Sequence, residues 1–367
     1  MATLRKIVIQ NFRNIELQEL EFSPNVNCIS GGNGEGKTNL LDAIWYLSMT
    51  KSSFCTSDRY SFRHGTDCLA LSGVYEMQGG ATARFCIRAD GEGKQLKKDD
   101  KPYRRISEHI GELPVVMVSP ADTAMVSESG EERRRFANAV LSQTDKAYLS
   151  GLQQYNRLLQ DRNRLLKDGV SDDSLLDAFD VKLSATAVPI YERRRKFCEE
   201  IKPAVREFYG RISGGREDVG LEYRSDLDKG DLYETLRNGR NRDMALRFTS
   251  SGIQRDDFVF TMDGYPIRRC GSQGQQKSFL VALKFAQYTF MKRDCGFPPM
   301  LLLDDLFDKL DIERVSNLLK MVADDDFGQI FLTDSNKTRI RGIVDGITRD
   351  RAYFETKGGV FSRNEQD

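Results

Sequence analysis

Near the start of the chain apolar and polar positions alternate with period two. Ile7-Val8-Ile9 sits among polar neighbours, which predicts a strand. Val26-Asn27-Cys28-Ile29-Ser30 is a second short run and ends at Gly31. From Asn39 to Met49 the period lengthens to that of a helix, with Leu40, Ile44 and Leu47 on one face and Leu41 and Trp45 beside them. Leu69–Tyr75 and Ala83–Arg88 read as further strands, followed by a turn at Asp90-Gly91-Glu92-Gly93. Val115–Val118 reads as one more, closing at Ser119-Pro120.

The middle of the chain changes character. From about Glu131 to Tyr209 the pattern is helical and highly charged, with Leu152, Tyr155, Leu158, Leu159, Leu165 and Leu166 at helix spacing. A second helical run covers Leu175–Tyr209, and Pro189 and Pro203 are expected to break or kink it. A helix of about 25 residues spans only about 37 Å, so the expectation is a helical lobe and not a long coiled-coil arm. From about Leu246 the pattern returns to mixed α/β. Phe258–Met262 followed by Asp263-Gly264 is a hairpin signal. Ser278–Met291 reads as a helix, and Met300–Leu303 and Gln329–Thr333 as fully buried strands. The expected organisation is an α/β core from 1–118 and 246–367, with a helical lobe inserted at 119–245.

Composition narrows the function classes. The 367 residues suggest two to three domains, or one with a large insertion, at roughly 150 residues per domain. With 39% hydrophobic residues the chain can build a core, and no window approaches the ~20 apolar residues of a bilayer span, so no membrane association is expected. The first residues lack a signal-peptide pattern. The seven cysteines are scattered, without a Cys-x-x-Cys pair, which fits thiols in a reducing cytoplasm better than a disulfide frame or zinc site. Lys+Arg and Asp+Glu are each 55, so a polyanionic partner has to be held by a local basic patch.

The chemistry concentrates in two places. Gly31-Gly32-Asn33-Gly34-Glu35-Gly36-Lys37-Thr38 fits G-x-x-x-x-G-K-[ST] at every fixed position, between a strand and an amphipathic helix. Glycines let successive backbone N–H groups turn toward phosphate oxygens, and the helix N-terminus adds partial positive charge. Lys37 is placed to reach the β- and γ-phosphates of a nucleotide, and the Thr38 hydroxyl to ligate Mg²⁺. Met300–Leu303 then runs into Asp304-Asp305. A buried parallel strand ending in an acid delivers it to the sheet edge where phosphates sit. Asp304 is the expected partner of Mg²⁺ or its water, and Asp305 the expected general base.

Lys37 and Asp304 are too far apart for a compact GTPase. Just before the acidic strand, Gly271-Ser272-Gln273-Gly274-Gln275-Gln276-Lys277 opens a helix and resembles the signature motif of the ABC ATPases, with Ser272, Gly274 and Gln275 at the matching positions. Plain helix capping would account for Ser272 equally well. Asp308-Lys309-Leu310-Asp311 resembles their D-loop, and Thr333-Asp334 falls where they often keep a histidine that senses the γ-phosphate.

Asn11-Phe12-Arg13-Asn14, the phosphate loop continuing into Asn39-Leu40-Leu41-Asp42, Arg133–Phe136, Tyr155–Asn163, Arg255-Asp256-Asp257, Ser272–Gln276 and Leu303-Asp304-Asp305 together resemble the RecF family, bacterial recombination mediators related to SMC heads. The pattern departs at Cys55, at Ile253-Gln254 and at Asp42. The resemblance implies an ABC-type P-loop ATPase head with an inserted helical lobe. It implies an ATP-dependent homodimer in which Gly31–Asn39 of one copy holds ATP and Ser272, Gly274 and Gln275 of the other close on the γ-phosphate. It further implies slow Mg²⁺-dependent hydrolysis and binding of single-stranded, duplex or gapped DNA. The partners it implies are RecR and RecO, with RecA placed on gapped single strands as the outcome. The alternative is an ABC ATPase subunit of another complex, a transporter or an SMC-like tether. Basic stretches that can meet DNA or merely face solvent are Arg84–Arg105 and Arg193-Arg194-Arg195. Arg133-Arg134-Arg135 opens a helix, where positive charge opposes the dipole. It suggests an anionic partner or a tolerated surface run.

Overall fold

One helix is apolar on nearly every side, and two sheets close around it. Helix α1 (Lys37–Met49) buries Leu40, Leu41, Ile44, Trp45, Tyr46 and Leu47 alike. The single stripe expected from its sequence is instead a complete girdle, because the helix is covered on both sides. The computed structural model describes residues 2–128, 130–169, 172–305, 327–346 and 348–364. An antiparallel sheet covers one side of α1, with the order β2 (Ile15–Glu21), β1 (Thr3–Phe12), β4 (Leu69–Glu76), β5 (Thr82–Ala89), β6 (Lys94–Lys98), β7 (Lys101–Pro102). A mixed sheet covers the other side, in the order β15 (Val360–Arg363), β14 (Arg351–Lys357), β3 (Val26–Ser30), β13 (Ile330–Asp334), β12 (Met300–Leu303), β8 (Val115–Val118). In it β14, β3, β13, β12 and β8 run parallel, and β15 pairs antiparallel with β14. Alternation along β12 divides its residues between two cores. Met300 and Leu302 join the α1 side, while Leu301 and Leu303 join the helices of the opposite face.

Among the described residues the helices after β8 are α2 (Ala124–Ser127), α3 (Gly130–Thr144), α4 (Lys146–Lys167), α5 (Asp173–Ser213), α6 (Leu232–Asn238), α7 (Arg240–Leu246), α8 (Ile267–Cys270), α9 (Gln273–Cys295) and α10 (Lys337–Val344), and all but α7 place residues in this second core. The break expected at Pro189 and Pro203 does not occur, and α5 runs unbroken for 41 residues with both prolines inside. An interior proline costs about 3 kcal/mol. Here Leu183, Ala187, Ile190, Arg194, Phe197, Ile201, Val205 and Phe208, all apolar but Arg194, are buried at three- and four-residue spacing, where α5 lies along α4 and α9. Burying each large apolar side chain returns about 1.5–3 kcal/mol, so packing outweighs the prolines. A helix of that length spans about 60 Å, yet it is packed along its neighbours and is not a free arm.

A third sheet joins β9 (Val219–Arg224), β10 (Asp257–Met262) and β11 (Tyr265–Pro266). β9 and β10 pair with Phe260 opposite Leu221, so the lobe boundary expected at 245/246 falls between two paired strands. The β10–β11 turn is Asp263-Gly264, both with positive φ (49° and 80°), the backbone that a tight two-residue hairpin requires.

Buried polar bonds fix how the lobe meets this sheet. Arg194 of α5, 2% exposed, donates to Asp256 Oδ2 (2.6 Å), the Ile253 carbonyl (2.8 Å), Tyr148 Oη (3.0 Å) and Asn138 Oδ1 (3.0 Å). The Tyr223 hydroxyl donates to the same Asp256 oxygen. One side chain thus ties α3, α4, α5 and the start of β10 together. Arg194→Met leaves Asp256 buried without its cation and is expected to lower unfolding free energy by about 3–5 kcal/mol. Urea denaturation checks this, with Arg194→Met/Asp256→Leu expected to recover part of the loss. A single variant within about 1 kcal/mol of wild type contradicts the assignment.

Candidate functional site

Three parallel strands end at one edge of the mixed sheet. Their register pairs Asp334 with Ser30 and Leu303 with Leu332. The phosphate-loop strand β3, the strand β13 and the acidic strand β12 therefore release their chains side by side. This is the edge at which open α/β sheets bind ligands.

The loop that follows β3 is shaped by walls as well as by its own glycines. Gly36 has φ 109° and caps α1, and a Cβ there would lie 2.9 Å from the Asn14 amide. A Cβ on Gly31 would lie 2.7 Å from both the side chain and the carbonyl of Thr356. On the far side, the Thr356 hydroxyl and the Gly359 N–H donate to the Glu35 carbonyl at 3.0 and 2.9 Å, and the Gly358 N–H donates to the Glu35 carboxylate. The β14–β15 turn thus holds the loop from the chain's other end. Gly32, Asn33 and Gly34 remain exposed at its crest. Asn39 sits just inside α1 and donates from Nδ2 to Asn14 Oδ1 at 2.7 Å.

Lys37 is buried, with Nζ donating to the carbonyls of Gly31 (2.9 Å) and Gly32 (3.1 Å) and lying 3.9 Å from Asp305 Oδ1. The Thr38 hydroxyl contacts both Asp304 carboxylate oxygens, at 3.0 and 2.9 Å. Thr333, at the end of β13, donates to Asp304 Oδ1 (2.8 Å) and accepts from the Asp305 N–H (2.9 Å). Asp305 adopts φ 40°, a left-handed turn held by this bond. Burial pushes the Asp304 carboxyl above the usual carboxylate range. The hydroxyls of Thr333 and Thr38 pull it back, Asp305 beside it adds to the rise, and Lys37 opposes it. Oxygen donors from a hydroxyl and a carboxylate suit Mg²⁺, which typically binds through one or two protein oxygens together with substrate phosphates. The walls and the donor set fit a Mg²⁺-bound nucleotide.

The structure therefore brings together Gly31–Thr38, Asp304 and Asp305. Ser272, Gly274 and Gln275 belong to a second cluster at the start of α9. Ser272 is exposed and caps α9, its Oγ accepting from the Gln275 N–H at 3.3 Å, while Gln275 Nε2 donates to Glu217 Oε1 at 2.7 Å. The D-loop-like stretch Asp308–Asp311 lies outside the described residues. The wall formed by Thr356, Gly358 and Gly359 escaped the sequence reading. Its one local signal is the Gly358-Gly359 pair, both with positive φ.

Two arginine runs are largely paired within the chain. Arg133 grips Asp257 with two bonds (2.7 and 3.0 Å), Arg134 donates to the Asp256 carbonyl (2.7 Å), and Arg135 pairs with Glu131 and Glu132 at the surface. Arg194 is buried, and Arg193 faces Asp294 (3.0 Å) and Asp145 (3.4 Å). The motifs Arg133–Arg135 and Arg255-Asp256-Asp257 thus answer each other inside the chain.

A family model described as an AAA domain matches residues 6–180. Over its whole length the chain is similar to curated proteins called "DNA replication and repair protein RecF". It is 44% identical to that of Parabacteroides distasonis, covering 99% of this chain and 100% of the relative. It is 41% identical to that of Bacteroides fragilis strain ATCC 25285, covering 99% of both. Among solved structures it is similar to "the recombination mediator protein RecF-ATP in RecFOR pathway", with TM-score 0.89, 28% identity and coverage of 99% and 98%. An Smc head domain from Pyrococcus furiosus shares the fold at TM-score 0.59 and 14% identity, with coverage of 99% and 96%.

The buried Asp304 sets a pH dependence. With its pKa raised on folding, the protonated form favours the folded state. That advantage is complete below the unfolded value of about 3.9 and is lost as pH rises through the folded value. Asp304→Asn removes the titration. Its unfolding free energy relative to wild type is expected to climb with pH through the acid range and then level off. Urea denaturation across that range checks it, and a difference independent of pH contradicts it.

Proposed function

The chain belongs to the RecF family of DNA replication and repair proteins. From that premise we propose that it is a slow, Mg²⁺-dependent ATPase whose ATP-bound dimer holds DNA. The carrying observation is the single cluster of Lys37, Thr38, Asp304 and Asp305 at the ends of β3 and β12. The solved relative with ATP supports the nucleotide.

Each side chain has a task that follows from its place. The N–H groups of Gly32–Thr38 and the start of α1 surround the phosphates. Lys37 exchanges its two carbonyl partners for phosphate oxygens and neutralises their charge. Thr38 and Asp304 would hold Mg²⁺, which would supply Lewis-acid polarisation of the phosphate oxygens. Asp305, turned by its bond to Thr333, accepts a proton from the attacking water. Thr333 stands where transporter-type enzymes often carry a histidine, and a hydroxyl there cannot take up a proton near neutral pH. Slow turnover follows, with the nucleotide acting mainly as a ligand that joins two copies.

In the dimer, Ser272, Gly274 and Gln275 of one copy close on the γ-phosphate held by the other. Ser272 is exposed and already turned toward a helix N-terminus, as an anion contact requires. Hydrolysis removes that contact and frees the dimer, a population shift set by ligand contacts. The role that fits is placement of RecA on gapped single-stranded DNA together with RecO and RecR, in the cytoplasm. A transporter subunit or a long tether gains no support from relatives that match end to end, or from an α5 packed along its neighbours.

Sedimentation with saturating Mg-ATP is expected to show dimers of wild type and monomers of Lys37→Ala, with DNA retained by the dimer only. Lys37→Arg is expected to keep some nucleotide and lose turnover. Lys37→Ala hydrolysing ATP at the wild-type rate, or a wild type that stays monomeric, overturns the reading.

A further inference from the structure

The antiparallel sheet has one face on α1 and one face toward solvent. Val8, Ser72, Cys86 and Lys97 lie directly opposite one another across β1, β4, β5 and β6 on the solvent face. At its edge the sheet carries the basic stretch seen in the sequence, and the structure sorts those cations into two kinds. Arg84 pairs with Asp100 (2.7 Å), Arg88 with Asp90 (3.8 Å), Lys94 with Asp58 (3.0 Å) and Lys98 with Glu112 (2.9 Å). Lys97, Lys101, Arg104 and Arg105 are exposed and have no ion-pair partner among the described residues.

These four surround the β6–β7 hairpin, whose turn Asp99-Asp100 has positive φ at both positions (49° and 63°). Beside the hairpin lies an open groove of about 440 Å³ lined in part by Lys101, Tyr103, Arg104 and Glu108. Asp99 and Glu108 offset part of the charge, and the balance stays positive. Lys94 donates to the Thr50 carbonyl at the end of α1, so the hairpin is fastened to the helix that begins at the phosphate loop.

Four cations without ion-pair partners among the described residues flank this edge, Lys97 on the solvent face opposite Pro102 and Lys101 on the other face opposite Lys98, and in a chain of zero net charge they match a phosphodiester backbone. Tyr103 is the one aromatic ring that lines the groove, whereas successive unpaired bases stack on several such rings. It is half-buried and held to His109, with ring centroids 5.5 Å apart and its hydroxyl 3.4 Å from His109 Nδ1. That favours a duplex, gripped through phosphates, over a single strand held by its bases.

We propose that the β6–β7 edge is a duplex-DNA contact surface in which Lys97, Lys101, Arg104 and Arg105 bind backbone phosphates without reading sequence. This rests on the function proposed above and names the residues that the DNA meets.

The test is duplex binding by the full chain with Mg-ATP over a series of salt concentrations. Each phosphate contact contributes about 0.9 to the slope of log affinity against log salt for a duplex. Lys97→Ala/Lys101→Ala/Arg104→Ala/Arg105→Ala is expected to flatten that slope by about 3–4, with ATP affinity and melting temperature as in wild type. Arg164→Ala/Lys167→Ala, which removes exposed cations from α4, is expected to keep the wild-type slope. A quadruple variant with the wild-type slope overturns this surface and leaves the functional reading standing, which would turn attention to an acidic protein partner. Equal flattening in the α4 variant also overturns it, because a diffuse field would then explain both. A greater loss for a single-stranded oligonucleotide than for the duplex overturns the choice of duplex. Wild type that retains no DNA at any salt concentration sinks this proposal and the functional reading together.

Discussion

A carboxylate kept from water by strands on either side is expensive unless something answers its charge. Asp304 is 3% exposed and is answered in this chain by the hydroxyls of Thr38 and Thr333. That small cluster constrains the rest. It requires β3, β13 and β12 to end together, and it requires α1 to start where Thr38 can reach across. α1 in turn has to be buried on nearly every side, because the sheet that supplies the acids covers one side and the antiparallel sheet the other. Lys37 then has little freedom, and it rests on the loop's own carbonyls beside Asp305.

The charged residues fall into two populations with different duties. Arg194, Arg133 and Arg134 are consumed in holding the lobe to β10, through Asp256 and Asp257. Buried pairs of this kind contribute definition more than net stability, since desolvation offsets much of the attraction. Lys97, Lys101, Arg104 and Arg105 at the β6–β7 edge have no such duty and are exposed. A count of arginines and lysines along the chain mixes the two populations, and only their partners separate them.

This separation marks where the sequence was legible. The phosphate loop, the acidic strand, the Asp263-Gly264 hairpin and the capping role of Ser272 were readable because each is a local pattern with a local cause. The lobe boundary was not, because β9 and β10 find each other across more than thirty residues of intervening chain, here 225–256. Nor was the continuity of α5, since Pro189 and Pro203 act locally while the packing that overrides them comes from α4 and α9. The wall of Thr356, Gly358 and Gly359 lies at the opposite end of the chain from the loop it supports. Arg133–Arg135 looked like an anion site because a helix start disfavours cations. Asp257 was the missing anion, and nothing near it in sequence announces the pairing.

A metal ion shared between Thr38, Asp304 and a triphosphate has a direct signature in calorimetric titration of ATP with and without Mg²⁺. Mg²⁺ is expected to tighten ATP binding to wild type by at least about tenfold. Thr38→Val is expected to lose this gain while keeping the affinity measured in EDTA. The same dependence on Mg²⁺ in both proteins would contradict a shared metal ion.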